Sequence, residues 1–206
     1  IPIAKAWCTD MGVEIASLGI QVHGGMGFIE ETGAAQHLRD ARIAPIYEGT
    51  NGIQAMDLVG RKLAADGGAA MRDLIEDIRQ TVEDLETSSN AELPKLAARL
   101  GPACDALEEA SHWLLKASDE DRLAGATSFL KLAGDVTGGW LLCVGAVAAQ
   151  RQLKEGEGDL DYARARIALT RFYADTVLAA APGLKGEVEI GAAPIFEPGD
   201  RMLESA

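Results

Sequence analysis

Glu48 lies in ARIAPIYEGTNGIQ, residues 41–54, behind an aromatic residue and ahead of Gly49. An acid among Ile46, Tyr47 and Ile53 would be poorly hydrated, and a carboxylate that loses water becomes a stronger base. The chemistry this suggests is general base catalysis. A plainer reading competes with it. Thr50 and Asn51 look like a helix start, where an acid gains roughly a few tenths of a kcal/mol from the dipole. Asn51 followed three residues later by Gln54 also resembles a capping box.

The second stretch is Gln21-Val22-His23-Gly24-Gly25-Met26-Gly27-Phe28. Paired glycines serve a helix cap and tight turn, or let the backbone come close to a phosphate-bearing ligand. No strand precedes them, so a Rossmann-type dinucleotide loop is unsupported. His23 reads as a packed or surface histidine. No other His or Cys stands near it in sequence, and no metal site is expected.

Helices must position these residues. Residues 1–19 read as the tail of a helix that QVHGGMGF breaks, and Thr32 to Arg42 as a short helix with Thr32 as N-cap. Ala44-Pro45 pushes the chain extended. Ile53, Met56, Val59 and Leu63 keep helical spacing to about Ala65. ADGGAA, residues 65–70, is the linker candidate. Met71, Leu74, Ile75, Ile78, Val82 and Leu85 then form one amphipathic stripe. Further helices are expected over 92–116, bent at Gly101-Pro102, over 119–154, interrupted at Gly138-Gly139, and over 160–180. The stretch from Lys185 on reads as loop, lying over the bundle or fraying. With no strand-period alternation, the fold class is all-α, an antiparallel bundle.

Apolar residues make up 48% of the 206, enough for a core. The net charge is −13, and from residue 64 onward 25 acids face 14 bases, a balance of −11. That argues against nucleic acid or an anionic membrane surface as partner. Cys8, Cys104 and Cys143 are odd in number and widely spaced, which fits reduced, mostly buried thiols in a cytoplasm-like compartment. Val136 to Ala149 is a long uncharged run, short of the ~20 residues that span a bilayer, and reads as a buried core helix. IPIAKAWCTD lacks a basic-then-apolar leader and opens within a helical pattern, so Ile1 reads as a cut edge of something longer.

Taken together, CTDMGVEIASLGIQVHGGMGF and LRDARIAPIYEGTNGIQ closely resemble the C-terminal helical domain of FAD-dependent acyl-CoA dehydrogenases. The signature Gln21, Gly24, Gly25, Gly27, Phe28, Arg39, Asp40, Ala41, Ile46, Tyr47, Glu48, Gly49, Thr50, Ile53 and Gln54 is complete. The resemblance implies two units: 1–65, the end of that domain, and 66–206, a helical extension like that of long, 3-methylmercaptopropionyl-CoA dehydrogenase-like members. It implies that Glu48 removes the α-proton of an acyl-CoA thioester, giving a trans-2-enoyl-CoA, with Tyr47 and Gly49 beside the substrate. Gln21, Val22, His23, Gly24 and Gly25 would line the adenosine-pyrophosphate of FAD, often the neighbouring subunit's. Thr50, Asn51 and Gly52 would contact FAD at the next helix start, Asn51 and Gly52 through backbone, while Arg39 and Asp40 stay structural.

An electron-transferring flavoprotein and a homodimer follow by the same resemblance, and the reduced thiols fit a cytoplasmic location. The family's N-terminal helical and middle β-domains have no counterpart here, so this chain alone is expected to be inactive. The alternative from a different class is a non-catalytic helical interaction or dimerisation module. A third, the alkylation-response relatives said to bind DNA, is opposed by the acidic C-terminal part.

Overall fold

A computed structural model of the chain describes residues 1–197. Among them every regular element is helical. The first is α1, Pro2–His23, followed by the single turn α2, Gly25–Phe28, a 3-10 turn Glu30–Thr32, and α3, Ala34–Arg42. After a run of turns comes α4, Asn51–Asp57, which continues through a π-helical turn, Leu58–Lys62. Then follow α5 (Ala69–Glu86), α6 (Leu93–Lys116), α7 (Asp119–Ala124), α8 (Ala126–Glu155) and α9 (Leu160–Tyr173). A π-helical turn, Ala174–Leu178, extends α9; a 3-10 turn, Ala181–Gly183, leads to α10 (Leu184–Glu189) and α11 (Ala193–Phe196).

The apolar stripe of α5 buries Met71, Ile75, Ile78 and Leu85 against α6, whose Leu96, Leu100, Leu107 and Leu114 lie beneath it. Helices α5, α6, α8 and α9 form the antiparallel bundle, and short connections between successive helices force that arrangement. In the α8–α9 hairpin, Thr170 Oγ1 bonds to Leu142 O and Arg166 lies on Gly145, so the two helices run in opposite directions.

Helix α8 is the hub. It touches α1, α4, α5, α6, α9 and α10. Its length and composition would suffice to cross a membrane, yet here it is the centre of the bundle, as a core helix should be. Gly138-Gly139 does not interrupt it, contrary to expectation. A methyl group at Gly134 would sit 2.1 Å from Trp7 Cδ1, and one at Gly139 2.6 Å from Leu178 Cδ2. These glycines admit neighbours; they do not end the helix. The break falls earlier, at Gly125, where a methyl would lie 2.5 Å from Val188 O.

Asp135, 3% exposed, ties α1 to this hub. Trp7 Nε1 donates to its Oδ1 at 2.8 Å, and Lys131 Nζ to its Oδ2 at 2.7 Å. A buried carboxylate needs such partners, because each lost hydrogen bond would leave a desolvated charge.

Three more expectations change. Pro102 sits inside one continuous α6. Thr32 does not cap α3; Gly33 does, and the Thr32 hydroxyl donates to Met26 O at 2.5 Å and Ile29 O at 3.0 Å. The stretch from Lys185 carries two short helices, α10 and α11, as far as Phe196: Val188 is fully buried, and Asp121 Oδ1 accepts from Ala192 N at 2.8 Å. The remainder of that expectation, residues 198–206, lies outside the described residues.

Candidate active site

The turns between α3 and α4 build the site. Ile46 N and Tyr47 N both donate to Ile43 O, so the chain winds tightly through Pro45, where an extended run was expected. Pro45 itself is buried, and its carbonyl accepts from Asn51 N at 3.0 Å, closing the loop. Inside it Glu48 takes φ 54° and Gly49 φ 85°. Glu48 is the one non-glycine residue with positive φ among those described. For an L-residue that conformation drives Cβ toward the following carbonyl and costs about 1–2 kcal/mol. Gly49 is glycine because its backbone is left-handed, a requirement that holds without any substrate.

Thr50 is the N-cap of α4, its Oγ1 accepting from Ile53 N at 3.3 Å. The Asn51–Gln54 capping box is therefore displaced by one residue. Gln54 Nε2 reaches back to Glu48 O at 3.3 Å, and the Asn51 side chain is spent on α1. Asn51 Nδ2 lies within 3.1 Å of Ala6 O, 2.9 Å of Thr9 Oγ1 and 2.7 Å of Asp10 Oδ1. Sequence reasoning missed Lys5, Thr9 and Asp10, since nothing in their own spacing points to a partner some 40 residues on.

The dry pocket expected around Glu48 is not made by this chain alone. Ile46, Tyr47 and Ile53 are 47%, 52% and 53% exposed, and Glu48 is exposed with them. The turn projects from the bundle, so its apolar residues have no neighbours here to close over the acid.

Residues Gln21, Val22 and His23 belong to α1, which runs beyond the expected break near residue 19. It ends where Gly24, φ 61°, turns its N–H back to Gln21 O at 3.0 Å. Gln21 through Gly25 are all exposed. Of the three glycines in this segment, Gly27 is dictated from within, since a methyl there would meet Ile20 O at 2.3 Å. A methyl on Gly25 would meet nothing within 4 Å, and its φ is ordinary. Gly52 in α4 is nearly as open, with only Thr50 Oγ1 in ordinary contact range at 3.9 Å. The two candidate segments are not brought together. Asn51 docks on α1 at Ala6–Asp10, and Gln21 lies eleven residues further on, about 17 Å along the axis at ~1.5 Å per residue.

Comparison with known proteins supplies the context. The family model described as Acyl-CoA dehydrogenase, C-terminal domain, matches residues 1–63. The model described as Acetyl-CoA dehydrogenase C-terminal like matches residues 74–197. A 3-methylmercaptopropionyl-CoA dehydrogenase of Ruegeria pomeroyi is 45% identical over 86% of this chain and 30% of its own length. A butyryl-CoA dehydrogenase of Syntrophomonas wolfei is 31% identical over 92% of this chain and 31% of its own. The chain thus spans under a third of these curated relatives. A crystal structure of an acyl-CoA dehydrogenase complexed with FAD from Bacillus anthracis shares the fold. Its TM-score is 0.65 at 18% identity, over 99% of this chain and 34% of that one. Matched along nearly its whole length by that family's C-terminal models, the chain belongs to the acyl-CoA dehydrogenases and carries their C-terminal region.

Proposed function

We propose that this chain is the C-terminal part of an FAD-dependent acyl-CoA dehydrogenase in which Glu48 is the catalytic base. One observation carries the reading: a glutamate held at φ 54° in a turn that costs free energy to maintain. A non-catalytic helical module would have no use for that strain.

In this reading the Glu48 carboxylate takes the α-proton of the acyl-CoA thioester, and the two α-carbon electrons become the new carbon–carbon double bond. Bound FAD would supply the hydride acceptor for the departing β-hydrogen, and the product is a trans-2-enoyl-CoA. The α-proton is weakly acidic, so charge developing on the thioester oxygen needs a donor already in place. The N–H of Glu48 meets no acceptor among the described residues and is free to serve. Tyr47 and Gly49 flank the substrate, and the half-exposed Ile46, Tyr47 and Ile53 become the dry wall once the rest of the enzyme covers them.

The residues present fit the cofactor. Gly25 and Gly52 are glycines that nothing inside the chain requires, and they leave room for close backbone approach by a ligand. Gln21, Val22, His23, Gly24 and Gly25 would hold it at the C-terminal end of α1, and Thr50, Asn51 and Gly52 at the start of α4, where Asn51 docks against Ala6–Asp10. Asn51 can contribute only its backbone, because its side chain is bound to α1. The separation of the two segments supports their serving FAD molecules of different subunits in a homodimer. The division into 1–65 and 66–206, an electron-transferring flavoprotein as oxidant, inactivity of this chain alone and a cytoplasmic location belong to the same reading.

The test is Glu48→Gln in the full-length enzyme. Turnover should fall by about 10²–10⁴-fold while the protein stays yellow with flavin. Near-normal turnover would move the base elsewhere.

A further inference from the structure

Two successive left-handed residues leave the carbonyls of Glu48 and Gly49 outside any helical ladder, and both must find donors elsewhere. Gln54 Nε2 supplies the first, at 3.3 Å. The second comes from a different helix: Lys5 Nζ donates to Gly49 O at 2.9 Å, across 44 residues of sequence. The same ammonium donates to Asn51 Oδ1 at 2.8 Å, so one cation spans the turn from Gly49 to the first residue of α4.

The placement is electrostatically odd. Lys5 reaches from α1 to the N-terminal end of α4, where the helix dipole opposes a cation. Its acceptors are a neutral carbonyl and a neutral amide, so it is not there to neutralise an acid. What it gains is two short, charge-assisted bonds. What the turn gains is a fixed distance between Gly49 and Asn51. Asn51 is anchored in turn on Ala6, Thr9 and Asp10, so the clamp refers the turn to the rigid body of α1.

We propose that Lys5 is a positioning residue for Glu48, holding the turn in its left-handed conformation by joining Gly49 O to Asn51 Oδ1. This rests on the reading of Glu48 as the base. Without the ammonium, Gly49 O must seek water, and Glu48 can relax toward negative φ. Its Cβ then leaves the turn in another direction, and displacement by about 1 Å is enough to slow proton transfer about 100-fold.

The experiment uses full-length, FAD-loaded enzyme with Lys5→Met, which keeps the stem and removes the donors, beside Lys5→Arg, which keeps them. In Lys5→Met, kcat should drop about 100-fold with KM and flavin content within about twofold of the parent. The primary isotope effect with α-deuterated acyl-CoA should rise as proton abstraction becomes limiting, and Lys5→Arg should recover about tenfold of the loss. A crystal structure of Lys5→Met should show Glu48 at negative φ. Unchanged kcat and isotope effect, or Glu48 still near its left-handed φ in that crystal, would overturn the proposal. Lys5→Gln carries the same test should Lys5→Met fail to fold. The two readings fail separately: an active Glu48→Gln enzyme sinks the base, while the φ of Glu48 in Lys5→Met still judges the clamp.

Discussion

Replacing Glu48 by glycine should make the chain more stable. Its left-handed backbone costs about 1–2 kcal/mol through the clash of Cβ with the next carbonyl oxygen, and glycine abolishes that clash. Against this stands the extra freedom of glycine in the unfolded chain, about 0.5–1 kcal/mol. Little else is lost, because Glu48 is exposed and its carboxylate makes no hydrogen bond or ion pair among the described residues. The net gain is roughly 0.5–1 kcal/mol, about 1–4 °C in Tm for a chain of this size. Glu48→Ala keeps Cβ and the strain, so it should stay within about 0.5 kcal/mol of the parent. Urea unfolding of the three proteins at a common m-value measures the differences. Should the glycine variant prove less stable than the alanine variant by about 0.5–1 kcal/mol, the position is unstrained and the reasoning fails. A stabilised Glu48→Gly that is also catalytically dead would show conformational strain retained at the site of chemistry.

Gly134→Ala should destabilise by about 3 kcal/mol, since the new methyl meets Trp7 Cδ1 at 2.1 Å and Trp7 Cβ at 2.8 Å. Gly60→Ala, with nothing within 4 Å, is the control, and equal melting temperatures for the two would contradict the packing described. Burial pushes the thiol of Cys104 up to about 11 and that of Cys143 to about 12, while Cys8 is exposed. A thiol reagent at pH ~8 should therefore label one sulfur in the folded chain and three after denaturation, counted by mass; two fast thiols would refute this. The Ala192 N–H and the Ser118 hydroxyl hold Asp121 below the usual carboxylate range. A depressed carboxylate stabilises fully above its unfolded value of about 3.9, and that contribution disappears as pH falls through the lower folded value. Hydrogen-exchange protection over residues 184–196, taken relative to the intrinsic exchange rate at each pH, should fall only below pH ~4, and a loss of protection that began near pH ~6 would point to another group.

The helices were legible where one face is buried by regular repetition. Met71, Ile75, Ile78 and Leu85 announce α5 because their spacing alone puts them on one side. Glycine was legible only in part. Gly24 caps and turns as read, but Gly138 and Gly139 looked the same on paper and do neither, because their meaning depends on Trp7, Tyr173 and Leu178. Helices α10 and α11 were invisible, being too short for periodicity and held by Val188 on Gly125 and Ala192 on Asp121. At the site, the acid, its glycine and its helix start could be read along the chain. The one-residue shift of the cap, the exposure of the turn and the reach of Lys5 could not, since each is set by what stands opposite and not by what stands adjacent.

Trp7 and Gly134 have a consequence for lineage. They sit in the two separately matched stretches, 1–63 and 74–197, yet the indole occupies the space that a side chain at 134 would need. The pair must therefore drift together: a relative with a bulkier residue at 134 should have given up the indole at 7. Chimeras that graft one stretch onto a foreign partner should accumulate as soluble protein only when both positions travel from the same parent.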